Sequence, residues 1–283
     1  SLDCDNCTDI WFSRDLLGCN NCFGCVGLRK KSYHIFNKPY SREEYFKKLE
    51  EFGLHSYKNL TAMREKTQAF WLQFPVKFMH GLKNLNSSGE HMHNSKNVHW
   101  SFDVHGGENL KYCQFVVSPA SDSYDYSNWG ASVSQMYECM TCGEEEDNMR
   151  FCFESWPSSK NQEYAAFCRS SSDLFGCVGL KKKQYCILNK QYSKEEYLAL
   201  REKILTHMDQ MPYTDKQGRI YRYGEFFPPE FSPLAYNETI AQDFFPLTKE
   251  RAEAKGYLWR EPDKQEYETT ISVVDLQDAI KDA

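Results

Sequence analysis

Apolar residues along the middle of the chain come in short bursts. Asn97-Val-His-Trp-Ser-Phe, Asn109-Leu-Lys-Tyr-Cys, Asn148-Met-Arg-Phe-Cys-Phe and Asp173-Leu-Phe-Gly-Cys-Val each open on Asn or Asp, and Gly, Ser, Pro or acidic residues separate them. The position after the aromatic residue, or its equivalent, recurs at Ser101, Cys113, Tyr126, Cys139, Cys152, Cys168, Cys177 and Cys186, in steps of 12, 13, 13, 13, 16, 9 and 9. Short strands with turn chemistry between them give this texture. Two architectures share the spacing. Stacked repeats place similar residues at equivalent positions, so the favoured expectation is a mainly β fold: a parallel β-solenoid, β-helix-like, with helical insertions. An antiparallel β meander with helices is the alternative.

Two stretches break the strand texture. Ser41-Arg-Glu-Glu44 and Ser193-Lys-Glu-Glu196 are capping boxes, in which the hydroxyl and the Glu three residues on satisfy free backbone amides. Tyr45, Phe46 and Leu49 follow the first at helical spacing, and a second helix is predicted from Tyr57 to Leu72, before Pro75. Tyr197, Leu198, Leu200, Ile204 and Met208 follow the second. The Pro-rich run from Phe226 to Pro233 reads as irregular, and Thr248 to Lys255, ahead of Gly256, reads as one short helix.

The boxes belong to a longer duplication. Phe23 to Tyr45 and Phe175 to Tyr197 match at 17 of 23 positions with a constant offset of 152, and two more positions exchange Arg for Lys. The predicted organisation is therefore the end of a first β-repeat unit (1–40), a helical insertion (41–80), a second β-repeat unit (81–192) and a helical and irregular C-terminal tail (193–283).

Composition narrows the class. The apolar residues include 6 Trp, 18 Tyr, 19 Phe, 12 Cys and 8 Met, so rings and sulfur dominate and supply the area a fold must bury. The sequence has no membrane span and no signal-peptide pattern, so the thiols are expected to be reduced and the protein cytoplasmic. The start at Ser1 is consistent with a piece of a longer parent. Residues 225–283 hold 13 acidic and 6 basic side chains, leaving a nearly neutral body that lacks the basic footprint of a general nucleic-acid binder.

The run from Gly176 to Tyr197, with Tyr223-Gly-Glu-Phe-Phe-Pro-Pro-Glu-Phe-Ser-Pro and Phe245-Pro-Leu-Thr-Lys-Glu, resembles an uncharacterised Cys-rich β-repeat protein family of candidate-phyla, metagenome-derived bacteria. The resemblance covers nearly the whole chain. It implies a β-repeat array, often accompanied by zinc-ribbon-like modules, and implies no activity.

Candidate chemistry is sparse. Cys4-x-x-Cys7 and Cys19-x-x-Cys22 have the local spacing of a four-thiolate zinc site, the one cofactor the pattern admits. Buried thiols packing as small hydrophobes are the favoured reading, because at the 152 offset Cys19 and Cys22 become Ser171 and Leu174. Cys139 and Cys142 form a weaker pair. His91, His93, His99 and His105 cluster with Asp103, and strand alternation would put His91 and His93 on one face. Arg29, Lys30 and Lys31 before Tyr33, and Lys181, Lys182 and Lys183 before Tyr185, form two cationic tracts with rings for stacking, which suit an anionic ligand. Solvated turns are the plain alternative. Asp103, Glu108, Asp122 and Asp125 lie on successive repeats, but no nucleophile elbow, phosphate loop or dinucleotide fingerprint accompanies them.

The expectation is a non-enzymatic binding or scaffolding protein whose partner is an anionic polymer or another protein. A carbohydrate-active enzyme on a solenoid face and a zinc-stabilised nucleic-acid adaptor are the alternatives. A long open sheet edge also makes a dimer conceivable.

Overall fold

The computed structural model describes residues 1–117, 119–261, 271 and 275–279. It holds two compact units, Ser1–Lys77 with Lys264–Ala283, and Phe78–Asp263.

In the second unit, strands adjacent in sequence are adjacent in one sheet and pair in parallel. Lys96 stands beside Glu108, Glu108 beside Ser121, Ser121 beside Ser134, Ser134 beside Asp147, Asp147 beside Lys160, Lys160 beside Ser172 and Ser172 beside Gln184. Each step is 12 or 13 residues. A parallel connection usually contains a crossover helix of its own, and none fits in so short a return. The first unit repeats the pattern, with Thr8 beside Asn20 and Asn20 beside Ser32. The antiparallel meander is thereby corrected. Among the described strands, antiparallel pairing is limited to Cys186 with Gln191, His34 with Pro39, and Tyr213–Thr214 with Ile220–Tyr221, and the first of these makes the large sheet mixed.

The backbone has an unusual period. Asp3, Asn6, Asp9, Phe12 and Asp15 lie at φ between 46° and 55°, and Asn97, Trp100 and Asp103 between 52° and 54°, so every third residue enters the left-handed region. That region costs an ordinary L-residue about 1–2 kcal/mol, and Asn and Asp enter it most readily. The bend re-aims the chain, and one side chain in three points inward: Ser13, Leu16, Cys19, Cys22 and Cys25 in the first unit, and Val98, Ser101, Val104, Leu110, Cys113 and Val116 in the second, are all buried. Ladder hydrogen bonds between successive repeats offset the cost, with Leu2 N–H donating to Ser13 C=O at 3.0 Å and Gly18 N–H to Asp5 C=O at 2.9 Å. Asn side chains add a second ladder. Asn97 donates to Asn109 at 3.2 Å, Asn109 to Asp122 at 2.8 Å, Asn148 to Asn161 at 2.8 Å and Asn161 to Asp173 at 3.1 Å.

The duplicated segment closes each array. The Asn37 carboxamide accepts from Val26 N–H at 2.8 Å and donates to Val26 C=O at 2.9 Å, and Asn189 makes the same pair with Val178 at 2.8 and 2.9 Å. One side chain thus takes the place of the next strand's peptide and blunts an edge that would otherwise stay open. Both predicted capping boxes are present, starting α1 (Arg42–Glu51) from Ser41 and, after α2 (Tyr57–Trp71), α3 (Lys194–Gln210) from Ser193. α1 buries Tyr45 with Phe23 and Ile35, and α3 buries Tyr197 with Phe151, Tyr164, Phe175 and Ile187. Among the described residues no helix is long and apolar enough to cross a membrane.

Candidate functional site

The cysteines occupy inward positions where a small hydrogen-bonding side chain links one repeat to the next. Ser13 Oγ donates to Trp11 C=O at 2.9 Å and accepts from Cys25 N–H at 2.9 Å. Cys25 Sγ donates to Phe23 C=O at 3.4 Å and accepts from Asn37 N–H at 3.5 Å, and Cys177 Sγ does the same with Phe175 and Asn189 at 3.5 and 3.4 Å. Ser and Cys are therefore interchangeable here, which explains why Cys19 can be answered by Ser171. Of the four residues considered as zinc ligands, Cys19 and Cys22 are buried and Cys4 and Cys7 half-buried. Cys7 Sγ already accepts from Cys19 N–H at 3.3 Å, and Cys19 Sγ from Lys31 N–H at 3.4 Å. Among the described residues no group of three or more His, Cys, Asp or Glu side chains is placed to hold a metal ion.

Burial pushes the Cys113 thiol up to about 11, and thiol reactivity follows the thiolate. An alkylating reagent is expected to label Cys4 and Cys7 at most in the folded protein, and the ten buried thiols only after denaturation. Mass spectrometry counts the adducts; fast native labelling of Cys168 or Cys177, whose thiols burial also pushes up, would contradict the assignment of these sulfurs to the interior.

The two basic tracts part company. Arg29 is paired with Asp15 at 3.0 Å, and Lys77 reaches the same carboxylate at 3.0 Å, holding its pKa below the usual range. Lys182 and Lys183 instead line an open cleft of about 420 Å³ with Ser158, Lys160, Ser170, Ser171, Ser172 and Gln184. Lys181 pairs through its backbone, in parallel, with Arg169. Lys160 lies far upstream in sequence, and only the parallel register that sets it beside Ser172 reveals it. The half-buried rings of Tyr33 and Tyr185, expected as stacking platforms, meet Tyr45 of α1 and Tyr197 of α3, each at 5.8 Å.

The acidic residues do not gather. Glu108 pairs with Lys96 at 2.6 Å, Asp122 accepts from Asn109, and Asp103, Asp122 and Asp125 stand at three different left-handed corners of the repeat. Register places Asp125 next to a carboxylate absent from the sequence reading, Glu138, whose pKa is raised by burial and then by Asp125 and Glu225. The histidines follow the triplet period rather than strand alternation. His93 stacks on His105 at 4.9 Å and His91 on His80 at 5.5 Å, whereas His99 lies 3.4 Å from Ser88 Oγ.

A second polar centre fastens α3 and the following segment to the array. Glu163, 6% exposed, accepts from Arg201 Nε and Nη2 at 2.7 and 2.8 Å, from Tyr223 Oη at 2.5 Å and from Arg150 at 3.5 Å. Compared with protein-family models, with curated proteins and with solved structures, the chain finds no match.

Proposed function

We propose that the chain is a non-enzymatic binding scaffold, a β-solenoid whose stiff frame presents a cationic, serine-lined cleft to an anionic polymer. The observation that carries this reading is that Lys160, Lys182 and Lys183 line one cleft while, among the described residues, none of them has an acidic partner. Ser171 is buried and donates to Arg169 C=O, and Ser158 donates to Glu145, so the Ser170 and Ser172 hydroxyls supply the donors of the kind that position phosphate or sulfate oxygens. The solenoid reading is supported by the 12- to 13-residue parallel register, the triplet burial and the carboxamide end caps. A reduced, cytoplasmic setting suits twelve free thiols.

The test is fluorescence anisotropy with a labelled oligothymidylate over a range of salt concentrations. Joint Lys160→Ala, Lys182→Ala and Lys183→Ala is expected to weaken binding at least tenfold and to flatten the slope of log K against log salt by about 2, at ~0.7 per phosphate contact on a single strand. The matched Lys30→Ala and Lys31→Ala variant is expected to bind as the parent does. Parent-like binding by the triple variant, or equal loss in both variants, would sink the proposal.

A further inference from the structure

An apolar groove of about 500 Å³ opens elsewhere in the second unit. The last repeats contribute Val178 and Leu188, the end of α3 contributes Met208 and Met211, and the segment after it contributes Phe226 and Phe231. Leu188 is 74% and Met211 69% exposed, so large apolar side chains stand uncovered where a soluble surface ordinarily avoids clustering them.

The outer wall is held in place. Tyr223 is tied to Glu163, Tyr164 Oη donates to Glu225 C=O at 2.9 Å, and Tyr213 hydrogen-bonds Glu230. Buried Asp215 fixes the turn between them, accepting from Gln217 N–H at 2.9 Å, Arg219 N–H at 2.9 Å, Arg219 Nε at 2.6 Å and Tyr221 Oη at 3.2 Å. The groove is thus preformed, and its volume falls within the ~300–1,000 Å³ of small-molecule sites.

The charged residues in its lining are Arg222 and Glu225, and His207 adds an imidazole. Arg150 and Arg201 are paired to Glu163, and Arg219 to Asp215. Arg222, by contrast, has no acidic partner among the described residues. Glu225 lies close enough to Glu138 to help raise its pKa. We infer that this groove binds a single-chain amphipathic carboxylate, with the hydrocarbon between Val178, Leu188, Met208 and Met211 and the carboxylate on the Arg222 guanidinium. The two thioethers suit a flexible apolar chain, because Met side chains adapt to irregular shapes, and a guanidinium fork matches the two carboxylate oxygens.

Isothermal titration calorimetry with dodecanoate and with neutral dodecanol, both below the concentrations at which they aggregate, tests this on the full chain. Dodecanoate is expected to saturate one site and to bind at least tenfold more tightly than dodecanol. Arg222→Ala, an exposed position, is expected to remove that preference and leave dodecanol binding unchanged, while Val178→Asp weakens both ligands. The triple lysine variant of the cationic cleft is expected to bind dodecanoate like the parent, which separates the two sites. No saturable binding, equal affinity for the two ligands, or an unaltered preference in Arg222→Ala would each overturn the inference.

Discussion

Glu163→Ala is expected to destabilise the 78–263 unit by about 3–5 kcal/mol, the range for removing one partner of a buried ion pair. The carboxylate is buried yet fully engaged, with both oxygens on Arg201, one also on Tyr223 and Arg150. Its loss strands the Arg201 guanidinium, only a quarter exposed, and leaves Tyr223 Oη without its acceptor. Glu163→Gln keeps the shape and one acceptor but not the charge, so it is expected to fall between the parent and Ala. Urea unfolding measures this as a lower midpoint at unchanged slope. The closing segment depends on the same contact, so limited proteolysis between 211 and 231 should accelerate in parallel. A midpoint shift corresponding to less than about 1 kcal/mol would show that Glu163 is peripheral to the fold.

Both capping boxes are plain in the sequence because each lies within four residues, and the duplication because its two copies keep 17 of 23 positions. The repeat spacing is plain as far as Cys152, whereas beyond it the register keeps steps of 12 or 13 where the cysteines step by 16, 9 and 9. The spacing that separates Cys113 from Cys139 is the register itself, written along the chain. The facing of side chains was less legible. Strand alternation would pair His91 with His93, but left-handed residues such as Asn94 and Asn97 turn the chain at every third position, and that conformation has no sequence signature beyond a surplus of Asn and Asp. The cationic cleft was half visible. Lys182 and Lys183 stand in a tract, while Lys160 joins them through a register that a single strand does not disclose. Tyr33 and Tyr185, beside such tracts, each also touch the helix that the following capping box begins, a contact that a single strand does not disclose. The Glu163–Arg201 pair spans 38 residues and two element types, and no local pattern marks it.

Stability of the second unit is expected to fall as pH rises from about 5 to 8, and Glu146→Gln is expected to abolish most of that fall. Glu146 is 1% exposed, at an inward position where the preceding repeats carry Ala120 and Val133. Burial pushes its carboxyl up to about 8, and the Glu144 and Glu145 charges push in the same direction. Its carboxylate accepts from Glu144 N–H, but Oε1 has no hydrogen-bond partner among the described residues, so little offsets the lost hydration of a charge. The folded pKa therefore lies above the unfolded value near 4.5. Between the two the folded state holds a proton that the unfolded state has lost, so unfolding releases it and becomes easier as pH rises. Below the unfolded value the two states are equally protonated and nothing is lost; above about 8 the loss is complete. At about 1.4 kcal/mol per pH unit, the change between pH 5 and 8 is about 3 kcal/mol. A carboxamide carries no charge at any pH, so Glu146→Gln should exceed the parent in stability by about 3 kcal/mol at pH 7 and by under about 1 kcal/mol at pH 5. Urea midpoints of the two proteins at pH 5, 6, 7 and 8 make the comparison. Parallel profiles would mean that Glu146 ionises freely in the folded state, through water reaching Oε1 or a rearrangement of the 143–146 turn.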